Sequence, residues 1–500
     1  RSRCRTIRTS VPGATRRAVI AALRYLGIAG AICLLGAATA SAHGVRRYTT
    51  GGTAPLVTAI ADPGLYNSSQ RADAFKLTRQ AGATYARVAV SWQEIAPDRP
   101  PDGFVATDPT SPGYAWGGLD AAVEAADAAG LTPILDISGV PRWAYSRGAT
   151  PPNGGTPKVA ALGDFATALA THFDGSTPGV PAEHVFQVWN EPNLSLNLYP
   201  VKAGKYRAMV NAVADAVHAV DRTNLVVAGA LEPVGHKKTK KIKWYSTAPL
   251  AFMRSLLCVS SGKHPHATCR TPVRFDVWAH NPYTHGGPFA KAKLRDDAEL
   301  GDLPKMRTLL RAGVRLHRVI STQRVQFWVT EFGWDTNPPR PKAASLGLAA
   351  RWTAESLYQM WRSGVTLVTW FLLQDYPSPS PYQSGFYFNF PALDRAATKP
   401  GLTAFRFPFV AYLHRGYVSI WGRDATSDVR TVTIQLRHGK RGHWQTVALV
   451  GSNSHGIFRA NVRLNATKRD RLRAIAPGSG KSLAFSLTVP HAPNIGPWGA

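Results

Sequence analysis

The sequence predicts an α/β fold, a (β/α)8 barrel followed by a C-terminal β-sandwich, and three observations carry that prediction. From about residue 54 to 402, short apolar runs alternate with stretches of helical spacing. Two of the apolar runs stop abruptly at a glutamate, one next to an asparagine and a proline and the other with aromatic residues on both sides, as strands do when they open into loops on one face of a barrel. After Pro400 the helical spacing disappears and short strand-like runs separated by turns take over. An open doubly wound sheet is the competing arrangement for the first part, but no glycine-rich phosphate turn follows its first strand. With 44% hydrophobic and 18% charged residues, the chain has an ordinary globular balance and enough apolar material for a large core.

In chain order, strand one is expected at 56–61. A helix at 71–80 follows and stops before Gly82, and strand two at 85–90 leads to Ser91 and Trp92. An alanine-rich helix at 119–129 is closed by Gly130 and followed by strand three at 132–137. The alternation continues with a helix at 159–173, strand four at 185–188, a helix at 206–220, strand five at 224–230 and strand six at 274–279. It ends with a helix at 305–319, strand seven at 326–330, a helix at 346–361 and strand eight at 365–372. The loop at 375–388, stiffened by prolines and rich in aromatics, is expected to wall one side of a cleft. Further strands are expected at 418–421, 429–436, 444–450, 456–462, 471–476 and 483–489. Such a sandwich can bind carbohydrate or act as a buttress.

The N-terminal segment has six arginines and no acid up to Arg17, then a largely apolar run to Ala40 and the small-residue pattern Ala40-Ser41-Ala42. This is the pattern of a secretory signal peptide cut after Ala42; an uncleaved membrane anchor is the alternative, opposed by Arg24 within the run. The expected organisation is a signal at 1–42, a polar linker at 43–53, a barrel at 54–402 and a sandwich at 403–500. A mature extracellular chain would keep two cysteines, Cys258 and Cys269. In an oxidising compartment this pair reads as a disulfide closing a surface loop, in preference to a metal site drawing on His264 and His266. No metal or cofactor is expected.

The formal charge is +29 and falls to +22 once the seven leader arginines are removed. The excess is concentrated at 235–243 and 423–473, either as solvated faces or as a means of holding an anionic cell wall or polysaccharide. Nucleic acid is a poor candidate partner, because no recognition motif accompanies the charge, and no membrane contact is expected after the leader is cut.

The chemistry lies at the ends of strands four and seven. Strand four runs into Trp189-Asn190-Glu191-Pro192, and Pro192 keeps Glu191 out of the right-handed helical region, which helps set the direction in which the carboxylate leaves the strand. Strand seven runs into Thr330-Glu331-Phe332-Gly333-Trp334. Asn190 and Glu191 could simply cap a turn, but paired strand-end glutamates are also what glycosidic cleavage requires, one on each side of the bond. These two motifs resemble the glycoside hydrolases of clan A, most nearly their family 39 and family 5 members.

The resemblance implies retaining hydrolysis of a carbohydrate substrate, with Glu191 as general acid and then base, and Glu331 as nucleophile. It also implies Arg87 and Tyr283 beside Glu331, Asn190 on the hydroxyl next to the anomeric carbon, and His280 orienting Glu191 or the sugar. Trp370, Trp334 and Trp143 are implied as sugar platforms. Read from the residues alone, Arg87 can equally be an internal ion-pair partner, His280 a core histidine, and the three tryptophans core aromatics. Strand three ends in Ser138-Gly139-Val140-Pro141-Arg142-Trp143, without the histidine common there in family 5. A carbohydrate- or wall-binding protein without turnover is the alternative function.

Overall fold

The computed structural model describes residues 45–146, 156–240, 243–426, 429–490 and 495–496; the expected leader lies outside them. Eight parallel strands close into a barrel: Val57–Ala61, Tyr85–Ser91, Thr132–Ser138, Val185–Val188, Leu225–Leu231, Val277–His280, Gln326–Val329 and Leu367–Phe371, hereafter strands one to eight. Each pairs with the next, and strand eight closes on strand one with Leu367 opposite Val57. Among the described residues no helix is long and apolar enough to cross a membrane.

The two-residue alternation of a strand explains how the barrel is filled. Inward positions Ala59, Ile134, Val185, Val227, Val277, Trp328 and Leu367 form one apolar plug, against which Tyr85 packs. Outward positions such as Val88, Val90, Leu135, Ile137, Phe186 and Val188 join the larger core under the helices. Two residues further along the same inward rows, the plug gives way to Arg87 on strand two, Asp136 on strand three and Gln187 on strand four. The apolar floor thus becomes a polar site by simple alternation.

Strand six departs from expectation. Its barrel portion starts at Val277, while Val273–Arg274 pairs with Val319–Ile320 outside the barrel. The helix Pro249–Leu257, which lies between strands five and six in the chain and packs Phe252 against Tyr206, was not foreseen. It is short, it follows a basic run, and its apolar face comprises only Leu250, Phe252, Met253, Leu256 and Leu257. It ends at Cys258 with a φ of +51°, and Cys258 is disulfide-bonded to Cys269 across a Cα separation of 5.3 Å.

The C-terminal part is a β-sandwich. One sheet contains Phe409–His414, Tyr417–Arg423 and Ile457–Val462, all antiparallel. The other is built on Thr431–Arg437, Gln445–Gly451 and Arg471–Ala476. The segment expected as a linker is not free: Arg46–Thr49 adds to this second sheet in parallel with Gln445–Gly451. An otherwise unpaired strand edge offers its backbone groups to any extended segment, which is a sufficient reason for a polar stretch to become a strand. The sandwich also grips the last long barrel helix, Leu346–Arg362. Arg351 lies 3.9 Å from the Phe485 ring centroid and donates to the Ser486 carbonyl at 2.8 Å, and Trp361 packs on Trp421.

Candidate active site

At the carboxyl ends of the strands lies a cavity of about 400 Å³, lined among others by Arg87, Asp136, Trp189, Asn190, Asn197, Glu331, Phe371 and Tyr382. Tyr382 comes from the loop after strand eight. That loop is pinned by the buried Lys399 ammonium, which donates to Asp375 at 2.6 Å and to the Gln383 carbonyl at 2.9 Å.

Glu331 is held on both oxygens. Arg87 donates to Oε2 at 3.1 Å and the Tyr283 hydroxyl donates to Oε1 at 2.8 Å. Arg87 is itself held from below by Asp136 at 2.6 Å, whose other oxygen accepts from Gln187 Nε2 at 2.7 Å. Burial works against the guanidinium charge, but the neighbouring Asp136 and Glu331 carboxylates outweigh it and push the Arg87 pKa up. Burial also raises Asp136, to about 6, with Arg87 opposing and Glu331 adding to the rise. Tyr283 is pushed far up by burial and by Glu331, so it remains a phenol and a donor.

Glu191 is built differently. Trp189 and Glu191 have φ values of +69° and +46°, a region that side chains other than glycine enter at a cost, and such strain gathers at functional sites. Glu191 thus avoids the right-handed helical region by turning left-handed. The turn is held by the Trp189 indole, which donates to the Asn197 carbonyl at 2.8 Å, and by the Glu191 amide, which donates to the Ala230 carbonyl at 3.0 Å. Ala230 presents that carbonyl from a bulge at the end of strand five, where Gly229 has a φ of +104° and a Cβ would strike the Ala279 carbonyl. Glu191 is partly buried and follows Trp189 and Asn190, which line the cavity. Asn281 Nδ2 donates to its carboxyl and to Asn190 Oδ1, each at 3.3 Å. Burial raises its pKa well above the carboxylate range, and the charges of Glu331 and Glu232 raise it further.

The structure therefore brings together Arg87, Asn190, Glu191, Tyr283 and Glu331. It does not bring the other sequence candidates to the cavity. His280 is fully buried on the outward row of strand six, where Nε2 bonds the Ala298 carbonyl at 2.7 Å and burial pushes its pKa down to about 4. Trp370 faces outward from strand eight, stacked on Phe386 with its indole donating to the Ser384 carbonyl. Trp334 is buried against Trp352, and Trp143 sits edge-on to Trp92 with its indole on the Pro97 carbonyl. Their neighbours, Asn281 beside His280 and Phe371 beside Trp370, hold the inward positions. Asp136, Gln187 and Asn281 were missed by sequence reasoning. Asp136 left a signal, a lone carboxylate within the apolar run Pro133-Ile134-Leu135-Asp136-Ile137.

A carboxylate gripped by a cation and a phenol, beside a second carboxyl whose pKa burial raises, can deliver a nucleophile and a proton to one bond. Residues 46–281 match the family model for cellulase (glycosyl hydrolase family 5). No curated protein matches the sequence. Among solved structures the chain is similar to a family 39 β-xylosidase from Caulobacter crescentus at 15% identity and a TM-score of 0.50, covering 85% of this chain and 98% of that one. It is also similar to a family 39 enzyme from Xanthomonas axonopodis pv. citri at 15% identity and a TM-score of 0.49, covering 86% and 96%. An endoglucanase from the hyperthermophilic Thermotoga maritima aligns at 13% identity and a TM-score of 0.41, covering 70% and 96%. The family 5 match runs through strand six, and the closed barrel is the fold shared with the family 39 β-xylosidase.

Proposed function

We propose that this chain is a secreted glycoside hydrolase that cleaves O-glycosidic bonds of an oligo- or polysaccharide by double displacement, with retention. The observation that carries the reading is the asymmetry between the two glutamates. Glu331 has a guanidinium and a phenol on its two oxygens, the setting of a nucleophile aimed at an anomeric carbon. Glu191 has one amide donor and a carboxyl disposed to keep its proton, the setting of a general acid. In this scheme the two carboxyls stand about 5 to 5.5 Å apart across the bond, and Asn190 takes the adjacent hydroxyl. Tyr283 and Arg87 stay on Glu331 until attack, when the departing oxygen takes the proton of Glu191. Glu191 then deprotonates the water that frees the sugar. The Cys258–Cys269 disulfide supports an oxidising compartment, and export predicts that protein recovered from the medium begins at His43.

A panel of aryl glycosides tests the activity and Glu191→Ala tests the roles. With a leaving group that needs no proton, the variant should form the glycosyl intermediate and then stall, and added azide should release it as a glycosyl azide of retained configuration. An inverted azide, or no turnover of any aryl glycoside by the wild-type protein, would overturn the scheme.

A further inference from the structure

We propose that the basic loops after strands five and six form a subsite for a negatively charged sugar unit on the leaving-group side of the cleavage point, so that the glycan cut is an acidic one. This rests on the assignment of Glu191 as the proton donor. A proton donor must reach the oxygen that departs, so the departing part of the glycan lies on the side of Glu191. That side is defined by its contacts with Ala230 of strand five and Asn281 just beyond strand six.

The loops above these strands carry Lys237, Lys238, Lys240 and Lys243 on one and Lys291 and Lys293 on the other, all exposed. The two loops are tied together, the Gly235 amide donating to Asp297 at 2.9 Å and the Ala298 amide to the Pro233 carbonyl at 2.8 Å. Most of their acids are engaged by a base: Glu232 with His236 at 3.1 Å, Asp296 with Arg254 at 2.6 Å, Glu299 with His285 at 2.9 Å and Asp302 with Lys305 at 2.8 Å, while Asp297 accepts from the Gly235 amide. Among the described residues none of the six lysines has a carboxylate partner, which leaves a positive field on these loops.

The basic loop is also joined to the cavity wall. The Lys238 ammonium lies 5.1 Å from the Tyr245 ring centroid and 5.7 Å from that of Tyr199, two rings set edge to face. Tyr245 exchanges hydrogen bonds with Ser195, its carbonyl accepting from the Ser195 amide and its amide donating to Oγ, each at 2.8 Å. Two residues beyond Ser195, Asn197 lines the cavity and anchors the Trp189 indole. A lysine seated over two tyrosines beside the cleft offers the apolar face of a sugar a surface and its acidic group a cation. Free carboxylates and sulfate half-esters share this chemistry.

Calorimetry on Glu331→Gln, with three oligosaccharides of equal length, tests the subsite: a hyaluronan fragment for the carboxylate, a carrageenan fragment for the sulfate and a cello-oligosaccharide as the neutral control. At about 50 mM salt at least one acidic chain should bind about tenfold tighter than the neutral one, and the advantage should collapse by about 500 mM. Lys237→Ala combined with Lys238→Ala and Lys293→Ala should weaken acidic binding about tenfold, and Lys440→Ala with Lys468→Ala on the sandwich should not. Equal binding of all three chains, or equal losses from the loop and sandwich variants, would overturn the proposal. Tight, loop-dependent acidic binding by a protein that hydrolyses no glycoside would keep the subsite and remove the hydrolase. Hydrolysis without acidic preference would do the reverse.

Discussion

The ends of strands seven and four present the same residue in opposite surroundings. At strand seven, Glu331 faces Arg87, which is itself held by Asp136, and the Tyr283 phenol; charge meets countercharge over a buried ladder of hydrogen bonds. At strand four, Glu191 meets one amide, from Asn281, and the negative fields of Glu331 and Glu232. The difference arises in the adjoining strands. Strands two and three deliver a cation and its support inward, whereas strands five and six deliver a bulge carbonyl, an amide and a further acid. The role of a glutamate here is set by its neighbours' inward rows more than by its own motif.

The comparison can be broken at either end. Glu331→Gln keeps the shape but removes the proposed nucleophile, and turnover of every glycoside should fall by about 10⁴-fold or more, read as kcat/KM across leaving groups. Glu191→Ala should be selective, costing about 10² to 10⁴-fold where the leaving group needs a proton and little in the first step where it does not. Equal losses from the two variants on an activated aryl glycoside would erase the distinction drawn between them.

The supporting shells should respond in kind, with smaller effects. Asp136→Ala strips the buried Arg87 of one of its carboxylates and should cost about 3 to 5 kcal/mol in urea unfolding, because a partly uncompensated charge remains in the barrel. Asn281→Ala removes two 3.3 Å hydrogen bonds, to Asn190 and Glu191, and the 3.1 Å acceptor of the Thr330 hydroxyl, and kcat should drop about tenfold with KM little changed, as Glu191 loses its aim. Glu232→Gln is the finest test. Its negative charge raises the pKa of Glu191, so neutralising it should lower that pKa and move the basic limb of the kcat/KM profile about half a unit toward lower pH. A limb that moves upward would show that Glu191 is not the group being read.

His280 and Trp370 show where sequence reasoning runs out. Each lies in the strand end where a reactive group belongs, yet each is one residue out of phase with the row that faces the cavity. Asn281 and Phe371 hold the inward positions. A one-residue difference in parity moves a side chain from the barrel interior to the helix layer, and a strand's phase is not visible when apolar residues fill both of its faces. Trp334 and Trp143 were placed by aromatic packing that no local pattern announces. Asp136 and Gln187 have meaning only in relation to Arg87, contributed by a different strand. The strand Arg46–Thr49 exists because a sheet edge some 400 residues later is there to receive it.

What the sequence determined by itself is the alternation of strands and helices, the strand-end position of Glu191 and Glu331, the change to short strands after the barrel and the pairing of Cys258 with Cys269. All of these follow from local periodicity, from turn-forming residues or from the count of cysteines. Tertiary structure alone decided which residues face the cavity, how Arg87 comes to stand between Asp136 and Glu331, and why one glutamate is gripped while burial and neighbouring charges raise the pKa of the other. Those outcomes depend on barrel closure, which sets the phase of each strand against the next and brings together side chains from distant parts of the chain.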